Sequence, residues 1–342
     1  MFGGFFRWVL IRFNNKSALF ALSCTESKTV MKQFFVINPH AGKQDRSTYI
    51  TEYLKSIGSD AEVYVTQGPR DATLFVAERC RMEHEPIRFY ACGGDGTLNE
   101  VISGVMGCQL LEADCQKSVE VGCYPCGSGN DYVKNWPDVD FFDLQAQLAA
   151  PSQEVDVMRL AVAGETRYCV NVMNYGFEAE VCRAMEVVRR WPLMGGRMSY
   201  VSGIVYCLLQ KRHNPCRITV DGEAWHSGDL LLGSAANGRF VGGGFQCAPR
   251  AVVDDGWLEA LSIDALSIPR FLKFIGFYKR GEHLDRVEMH DVVHHRRVHG
   301  MVFEDDREFS IVVDGELIRC HRVEVECLPK AIKFVVPNKL TK

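Results

Sequence analysis

A glycine-rich segment with the sequence GGDGT, at residues 93–97, separates two apolar runs of the chain. The first run, residues 87–91, is typical of a buried strand, and the second, residues 98–106, has the spacing of a helix with one apolar face. Three glycines between a strand and a helix allow a sharp turn and a close approach of the backbone to a ligand. Because the first N–H groups of a helix have no partner inside it, the segment predicts a phosphate-binding loop.

Asp95 is the charged residue of this loop. A bare carboxylate repels a polyphosphate, so Asp95 must meet a cation, a lysine or a proton that is being transferred. The loop therefore favours phosphoryl transfer with a metal ion over the simple binding of an anion.

Two further loops of small and polar residues follow predicted strands. The sequence NPHAGK at residues 38–43 comes after the apolar residues 33–37, and PCGSGND at residues 125–131 comes after the apolar residues 119–124. NPHAGK ends just before a helix predicted over residues 45–57, so its N–H groups and its lysine predict a second anion site. That signal is weak alone, because Asn-Pro is also an ordinary turn.

The order of the predicted elements indicates a parallel sheet. A strand at residues 61–66 and a helix that ends near residue 82 lie between the first two loops, which gives a βαβ series. Ligands of such sheets bind at the carboxyl ends of the strands. We therefore expect the three loops to face one site.

The pattern changes after a boundary near residues 150–152 to short strands with hairpin-type turns. Strands are predicted at residues 154–162, 166–173, 216–220, 229–235 and 258–263, with helices at about 177–190, 198–211 and 270–278. This arrangement predicts a mostly antiparallel second domain. Three last strands, at residues 309–313, 323–327 and 332–336, either complete this domain or return to the first one.

Composition bounds the class of protein. The 342 residues are 47% apolar and 24% charged, which is typical of a soluble globular protein of two domains. A formal net charge of −4 argues against a nucleic-acid-binding protein. The 14 cysteines are scattered, which favours reduced core thiols in an intracellular protein. A redox pair of Cys123 and Cys126 is the less favoured alternative.

Residues 1–31 differ from the rest of the chain, because they combine bulky apolar residues with Arg7, Arg12 and Lys16 and have no acid before Glu26. This composition is typical of an amphipathic organelle-targeting segment, here a mitochondrial one. The alternative is a disordered or membrane-grazing extension. The apolar run is too short and too charged to cross a membrane, and no other run reaches about 18 apolar residues, so a peripheral protein is expected.

These loops and several later motifs resemble the diacylglycerol kinase catalytic-domain family, which also contains sphingoid-base and ceramide kinases and compact bacterial lipid kinases. The resemblance runs from about residue 32 to residue 337. Its motifs, in order, are NPHAGK at 38–43, GGDGTLNE at 93–100, GSGND at 127–131, NGRFVGGG at 237–244, PRAVVDDG at 249–256 and DGE at 314–316.

The resemblance implies an α/β plus β fold, with an ATP-binding parallel-sheet domain over residues 32–150 and a β-sandwich domain for the lipid over residues 151–337. It also implies phosphorylation of a lipid hydroxyl, such as that of diacylglycerol or a sphingoid base, with ATP and Mg²⁺ as cofactors. The implied nucleotide contacts are Asn38, Pro39, Gly42, Lys43, Thr66, Gly93, Gly94, Asp95, Gly96, Thr97, Asn99, Glu100, Gly127, Ser128, Asn130 and Asp131. The implied magnesium ligands are Asp255 and backbone oxygens near Val252 and Trp257.

Three acids are candidates for the group that takes the proton from the lipid hydroxyl. The resemblance implies Asp314 and Glu316 as the segment that supplies the acceptor, whereas Asp95 has this role in the sphingoid-base branch. The choice among them stays open, and so do the identity of the lipid and the oligomeric state.

Two other functions compete with a lipid kinase. NAD kinases and phosphofructokinases also use a GGDG loop, but the helix sequence LNEVISG at 98–104 and the GSGND loop fit lipid kinases better. A non-catalytic lipid or nucleotide sensor is the second alternative. Such chains usually lose an acid or a loop glycine, whereas this chain keeps Asp95, Asp255, Asp314 and Glu316.

Two smaller signals have modest interpretations. The basic and aromatic residues 270–280 predict either a helix that packs its apolar face on the second domain, which is favoured, or a surface that touches the membrane where the lipid substrate resides. Four histidines at positions 290, 294, 295 and 299 have spacings that suggest a metal site, but strand alternation would split them between two faces. The expected location is the cytoplasm, with peripheral membrane contact.

Overall fold

The computed structural model describes residues 7–13, 16–22, 31–111, 118–188 and 214–339. In the N-terminal segment, strand β1 (Arg7–Phe13) pairs antiparallel with strand β2 (Lys16–Leu22). The targeting role predicted for residues 1–31 stays a prediction.

A parallel sheet forms the first part of the fold. Its strands are β3 (Lys32–Ile37), β4 (Glu62–Val65), β5 (Ile87–Gly93) and β6 (Val119–Pro125). They lie side by side in the order β6-β5-β3-β4, and each neighbouring pair is parallel. Every residue of β5 and β6 is buried, as expected for strands that are covered on both faces.

Helices cover both faces of this sheet. They are α1 (Ser47–Ser56), α2 (Asp71–Met82), α3 (Asp95–Leu111) and α4 (Leu144–Ala149). Because side chains alternate along a strand, Phe34 and Val36 of β3 pack with α2 and α3, whereas Phe35 and Ile37 pack with α1 and α4. The helix predicted from residue 98 begins earlier, at Asp95, so most of the GGDGT loop is already the first turn of α3.

The second part of the fold is mostly antiparallel. Its strands are β7 (Ser152–Val162), β8 (Glu165–Cys169), β9 (Val172–Gly176), β10 (Pro215–Val220), β11 (Glu223–Ala236), β12 (Leu258–Asp264), β13 (Val293–Val298), β14 (Gly300–Val313) and β15 (Glu316–Val335). Its helices are α5 (Phe177–Val188) and α6 (Ile268–Arg280). An α/β part followed by a β-rich part is the predicted order, while the helix predicted at residues 198–211 lies outside the described residues.

One predicted strand is wrong, because residues 166–173 form the ends of two strands, β8 and β9. At the break, the N–H groups of Val170, Asn171 and Val172 donate to the carboxylate of Asp314 over 2.9–3.3 Å. These N–H groups therefore bond to a side chain distant in sequence and not to a neighbouring strand. Local sequence patterns do not reveal such a contact.

Strand β15 joins the two parts of the fold. It is 20 residues long, so the strands predicted at 323–327 and 332–336 are one strand, with a register shift between Leu328 and Ile332. Its first half pairs with β14, most of its length pairs with β7, and Lys333 and Phe334 pair in parallel with β6. The chain therefore returns to the first sheet, which was one of the two predicted alternatives.

Helix α6 packs on the second domain through its apolar face, as the favoured interpretation of residues 270–280 predicts. Phe271, Phe274 and Tyr278 are buried, whereas Ile268 and Leu272 are exposed. Ser267 precedes the helix with Pro269 in its first turn, and Gly281 ends it with φ of 71°. Among the described residues, no helix has the length and apolar content to cross a membrane.

His283 gives the fold a specific dependence on pH. It is fully buried beside Tyr278, and burial lowers its pKa from 6.5 to about 4, against a smaller opposing effect of the Cys247 backbone. The unfolded chain takes up this proton near pH 6.5, but the folded protein resists it down to about pH 4. The free energy of unfolding should therefore fall by up to about 3 kcal/mol between these pH values.

Denaturant unfolding at several pH values measures this loss. His283→Leu should flatten the slope between pH 6.5 and 4, while the exposed His84, changed to Gln, should leave it as it is. Equal slopes in the parent protein and His283→Leu would show that His283 does not cause the dependence.

Candidate active site

The three glycine-rich loops meet through their backbones. We call them the first loop (residues 38–43), the second loop (residues 93–97) and the third loop (residues 125–131). A Cβ atom on Gly42, where φ is +74°, would lie 2.1 Å from the carbonyl oxygen of Cys126. A Cβ atom on Gly127 would lie 2.4 Å from Cα of Gly94. The contacts exclude side chains at Gly42 and Gly127, because real Cβ atoms do not approach so closely.

Hydrogen bonds fix the loops to one another. Asn38 donates from Nδ2 to Oγ1 of Thr97 over 3.2 Å, which joins the first loop to the second. The backbone N–H of Cys126 donates to the carbonyl oxygen of Gly93 over 2.8 Å, which joins the third loop to the second. The expectation that the loops lie together at the carboxyl ends of β3, β5 and β6 agrees with this geometry.

The side chain of Asp95 reaches from the second loop to the third loop. Its Oδ1 accepts a hydrogen bond from the N–H of Tyr132 over 3.0 Å, and its Oδ2 would lie 3.0 Å from a Cβ atom on Gly129. Burial raises the pKa of Asp95, and the neighbouring carboxylate of Asp131 raises it further, while backbone hydrogen bonds oppose the rise. The carboxyl group is thus held in place and has an increased affinity for a proton.

Asp131 ties the third loop to the second domain. Its side chain is buried, and it accepts hydrogen bonds from Nζ of Lys134 over 2.5 Å and from the N–H of Gly243 over 2.8 Å. Gly243 lies in the NGRFVGGG motif of the second domain. The third loop and the second domain therefore meet at this carboxylate.

Asp314 lies close to the loops, but its carboxylate already accepts several hydrogen bonds from the protein. Asn99, one turn after Asp95 on α3, donates from Nδ2 to Asp314 over 2.9 Å and to the carbonyl oxygen of Tyr168 over 2.8 Å. Three backbone N–H groups at residues 170–172 complete the shell. Burial raises the pKa of Asp314, and these hydrogen bonds oppose the rise. The arrangement suits an anchor between the two domains.

Glu316 is not brought to the loops. Its side chain is 59% exposed, and it pairs with Nη1 of Arg167 over 3.2 Å. Glu100 also points elsewhere, because its Oε1 accepts from the N–H of Arg70 and so ties α3 to α2. Thr66 is buried at the end of β4 and donates its N–H to Ile37 over 2.9 Å.

A cleft of about 350 Å³ opens between the first and third loops. Lys43 and Arg46 supply positive charge to it, and Tyr124 and Phe142 supply aromatic walls. Ser128 is exposed at the rim of the third loop, and Asn130, with φ of 52°, donates from Nδ2 to the carbonyl oxygen of Gly127 over 2.9 Å. The lysine predicted as an anion ligand is therefore accessible from this cleft.

The magnesium ligands implied by the resemblance do not form a ready site. Asp255 forms an ion pair with Arg297, and its other oxygen accepts from the N–H of Trp257 over 3.1 Å. In the parts of the chain that the structure describes, no group of three or more His, Cys, Asp or Glu side chains is arranged to hold a metal ion. A carboxylate already neutralised by a guanidinium group does not fit this role, so no reaction step is assigned to it.

The remaining cysteine and histidine signals are structural. Cys123 packs in the core beneath α2 and α3, whereas Cys126 packs on the opposite face of the sheet, and both are free thiols. His294 contacts Asp264 over 3.2 Å, and His295 contacts Glu259.

Sequence reasoning missed an apolar pocket, which we call the α5–α6 pocket. It is lined by Phe177 and Val181 of α5, Leu232 of β11, Phe245, and Phe274 and Tyr278 of α6, and it also contains Glu178. The one local signal was an acid, Glu178, two residues after the strand end at Gly176. The segments that line the pocket lie up to about a hundred positions apart in the sequence, so only the fold brings them together.

Comparison with known proteins identifies the family. The family model for the diacylglycerol kinase catalytic domain matches residues 32–160, and the model for the YegS C-terminal NAD kinase beta sandwich-like domain matches residues 171–336. The chain belongs to the diacylglycerol kinase catalytic-domain family. The two matched segments together span both parts of the fold, and they leave the N-terminal hairpin outside the family.

Similar sequences and a similar solved structure extend over most of the chain. A "Probable lipid kinase YegS-like" protein of Stenotrophomonas maltophilia (strain K279a) is 25% identical over 309 residues, which cover 88% of this chain and 95% of that protein. A protein of the same description from Enterobacter sp. (strain 638) is 28% identical over 302 residues, which cover 87% and 93%. The crystal structure of a putative diacylglycerol kinase from Bacillus anthracis str. Sterne has a TM-score of 0.68 and 20% identity, covers 90% and 97% of the two chains, and supports the fold.

The backbone contact of the first and third loops can be tested by Gly42→Ala. The added Cβ atom would strike Cys126 and also require an unfavourable φ, so the melting temperature should fall by several degrees. Gly58→Ala is the matched control, because Gly58 has a φ of +64° but open space around it. Equal losses in the two variants, measured by thermal unfolding, would show that φ strain alone accounts for the effect.

Proposed function

We propose that this protein transfers the terminal phosphoryl group of ATP to a hydroxyl group of a lipid. The observation that carries the proposal is the junction at Asp95. Three loops suited to phosphates meet beside the partly buried carboxyl group of Asp95, and Asp131 connects this junction to the domain that holds the α5–α6 pocket. The family and the names of the relatives, probable lipid kinases, support the same activity.

The phosphates of ATP have a cradle of the appropriate charge. The N–H groups at the start of α3 carry partial positive charge, and Lys43 and Arg46 add two cations beside the third loop. ATP enters such sites as its Mg²⁺ complex, and the ion carried by this substrate would offset part of the phosphate charge. We expect dependence on Mg²⁺ from this substrate complex.

Among the three candidate acids, Asp95 fits the role of proton acceptor best. Its Oδ1 has a backbone donor, and burial raises its pKa toward that of a useful general base. Asp314 is surrounded by four donors, and Glu316 is exposed and paired with Arg167. We therefore assign proton transfer to Asp95 and a positioning role to Asp314, which holds Asn99.

The α5–α6 pocket provides an apolar surface for the lipid chain. Its position beside the Gly243 contact directs a bound head group toward the third loop. Diacylglycerol and sphingoid bases both have the apolar chains and the free hydroxyl group that this arrangement requires.

Asp95→Asn tests the central assignment. The amide keeps the size of the side chain but does not take a proton, so turnover should fall by on the order of 10²–10⁴-fold while the melting temperature changes little. The measurement is phosphate transfer from labelled ATP to a panel of lipids with purified protein.

Glu316→Gln is the comparison variant in the same assay. It removes an exposed acid that the structure places away from the loops, so turnover should stay within about threefold of the parent value. Near-normal turnover in Asp95→Asn, together with a large loss in Glu316→Gln, would assign the role of proton acceptor to Glu316. Transfer to NAD but to no lipid would replace the lipid kinase with an NAD kinase.

We further propose that the protein binds the membrane surface through the outer face of α6. Ile268, Leu272 and Val287 are exposed apolar side chains, with fractional exposures of 43%, 60% and 77%. Val287 lies in a short 3₁₀ turn held to α6 by the ion pair of Lys273 and Glu288. The inner face of the same helix lines the α5–α6 pocket, so this position would bring the pocket to the lipid.

A double variant, Leu272→Ser with Val287→Ser, tests this surface. It removes exposed apolar area without touching the core, so co-sedimentation with anionic liposomes should decrease severalfold at unchanged melting temperature. The matched control is Leu74→Ser, which changes a similarly exposed side chain on α2. Equal sedimentation of all three proteins would assign membrane contact to another face.

A further inference from the structure

The α5–α6 pocket contains one carboxyl group within otherwise apolar walls. Glu178 lies in the first turn of α5, between Phe177 and Val181, and faces a pocket closed on the other side by Phe274 of α6. Carboxyl groups are rare in such surroundings, because an apolar wall does not replace the hydrogen bonds that water gives them.

The carboxyl group of Glu178 has no partner among the described residues, which provide neither a hydrogen bond nor an ion pair to it. Burial raises its pKa from 4.5 to about 7, and the carboxylate of Asp131 adds to the rise. The start of a helix normally stabilises an anion, so desolvation outweighs the helix dipole here. A partly buried carboxyl group that lacks a partner among the described residues can accept a hydrogen bond from a ligand that enters the pocket.

The position of Glu178 relates the pocket to the reaction. Gly242 lines the pocket, and the N–H of the next residue, Gly243, donates to Asp131. Asp131 belongs to the third loop and lies close to Asp95 of the second loop. The electrostatic influence of Asp131 reaches both Asp95 and Glu178. A lipid whose chain enters the pocket would therefore place its head group between Glu178 and Asp95.

We propose that Glu178 is a specificity-determining residue that accepts a hydrogen bond from a second donor group of the acceptor lipid, beside the hydroxyl that receives the phosphate. The inference rests on the proposed function. Glu178 favours lipids with a hydroxyl or ammonium group next to the reacting hydroxyl over lipids whose neighbouring group is an ester or an ether. A lipid with one donor does not supply this hydrogen bond to Glu178, so the protein binds that lipid less tightly.

The size of the pocket limits how the lipid binds. Its free volume is about 40 Å³, which is less than a long alkyl chain occupies. Entry of a chain therefore requires α6 to move away from α5. Contact with the second donor group would supply part of the energy for this movement, because it satisfies Glu178 only in the occupied state.

The test compares two acceptors that differ in one hydrogen-bond donor, a long-chain 1,2-diol and its 2-O-methyl ether. The parent protein should phosphorylate the diol with a kcat/KM at least about tenfold higher than that of the ether. Glu178→Leu should remove most of this preference through a higher KM for the diol, while kcat/KM for the ether stays within about twofold. Glu178→Gln keeps an acceptor oxygen and should restore part of the preference. The 2-amino alcohol of the same length shows whether ammonium or hydroxyl is preferred.

A structural role for Glu178 predicts other results. If Glu178 only stabilised the fold, Glu178→Leu should lower the melting temperature and reduce activity equally on both acceptors, and this outcome would overturn the proposal. The proposal instead expects a melting temperature that is unchanged or higher. Glu180→Gln is the matched control on the same helix, because Glu180 already pairs with Arg183 over 2.8 Å, and it should keep the full preference.

Equilibrium binding of both lipids without ATP separates this inference from the proposed kinase activity. If the parent protein binds the diol more tightly than the ether, and Glu178→Leu does not, the selectivity stands even if no lipid is phosphorylated. If phosphorylation occurs but neither binding nor kcat/KM distinguishes the two lipids, the kinase stands and the role of Glu178 is wrong.

Discussion

The arrangement of the site depends on direct contact between backbones. Gly94 and Gly127 approach so closely that no side chain fits between them. Gly42 lies equally close to the carbonyl oxygen of Cys126, so a side chain is excluded there too. Because these contacts join the ends of β3, β5 and β6, they determine where the first turn of α3 begins and hence where Asp95 lies. Substitution at these positions would separate the loops rather than change one contact, which explains why the motif has glycine at each of them.

Buried and partly buried carboxyl groups have different roles in this molecule. Asp314 accepts four hydrogen bonds and holds Asn99 and the turn between β8 and β9, while Asp131 joins the third loop to Gly243. Asp95 and Glu178 each have fewer partners, and burial raises the pKa of both. A carboxyl group that the protein itself satisfies serves the fold, whereas one that it leaves short of donors is available to a substrate.

Local patterns in the sequence predicted the strands and loops of the first domain well, because hydrophobic runs and glycine-rich turns are local signals. They failed where a distant residue decides the structure. The break at residues 170–172 comes from Asp314. The ion pair of Asp255, the acid assigned to magnesium, with Arg297 was likewise not visible in the local pattern. Glu316 follows Asp314 by two positions but pairs with Arg167 at an exposed strand end, and no motif distinguishes the two acids. The α5–α6 pocket needed the fold itself.

Strand β15 has a consequence for how the chain becomes folded during synthesis. Lys333 and Phe334 of β15 pair with the edge of β6, and β7 pairs antiparallel with β15. A nascent chain that has emerged only as far as the second domain therefore exposes both edges to unwanted strand pairing. The parallel sheet of the first domain therefore stays incomplete until residues 333–334 have been synthesised, so the first domain cannot complete its fold before the second one.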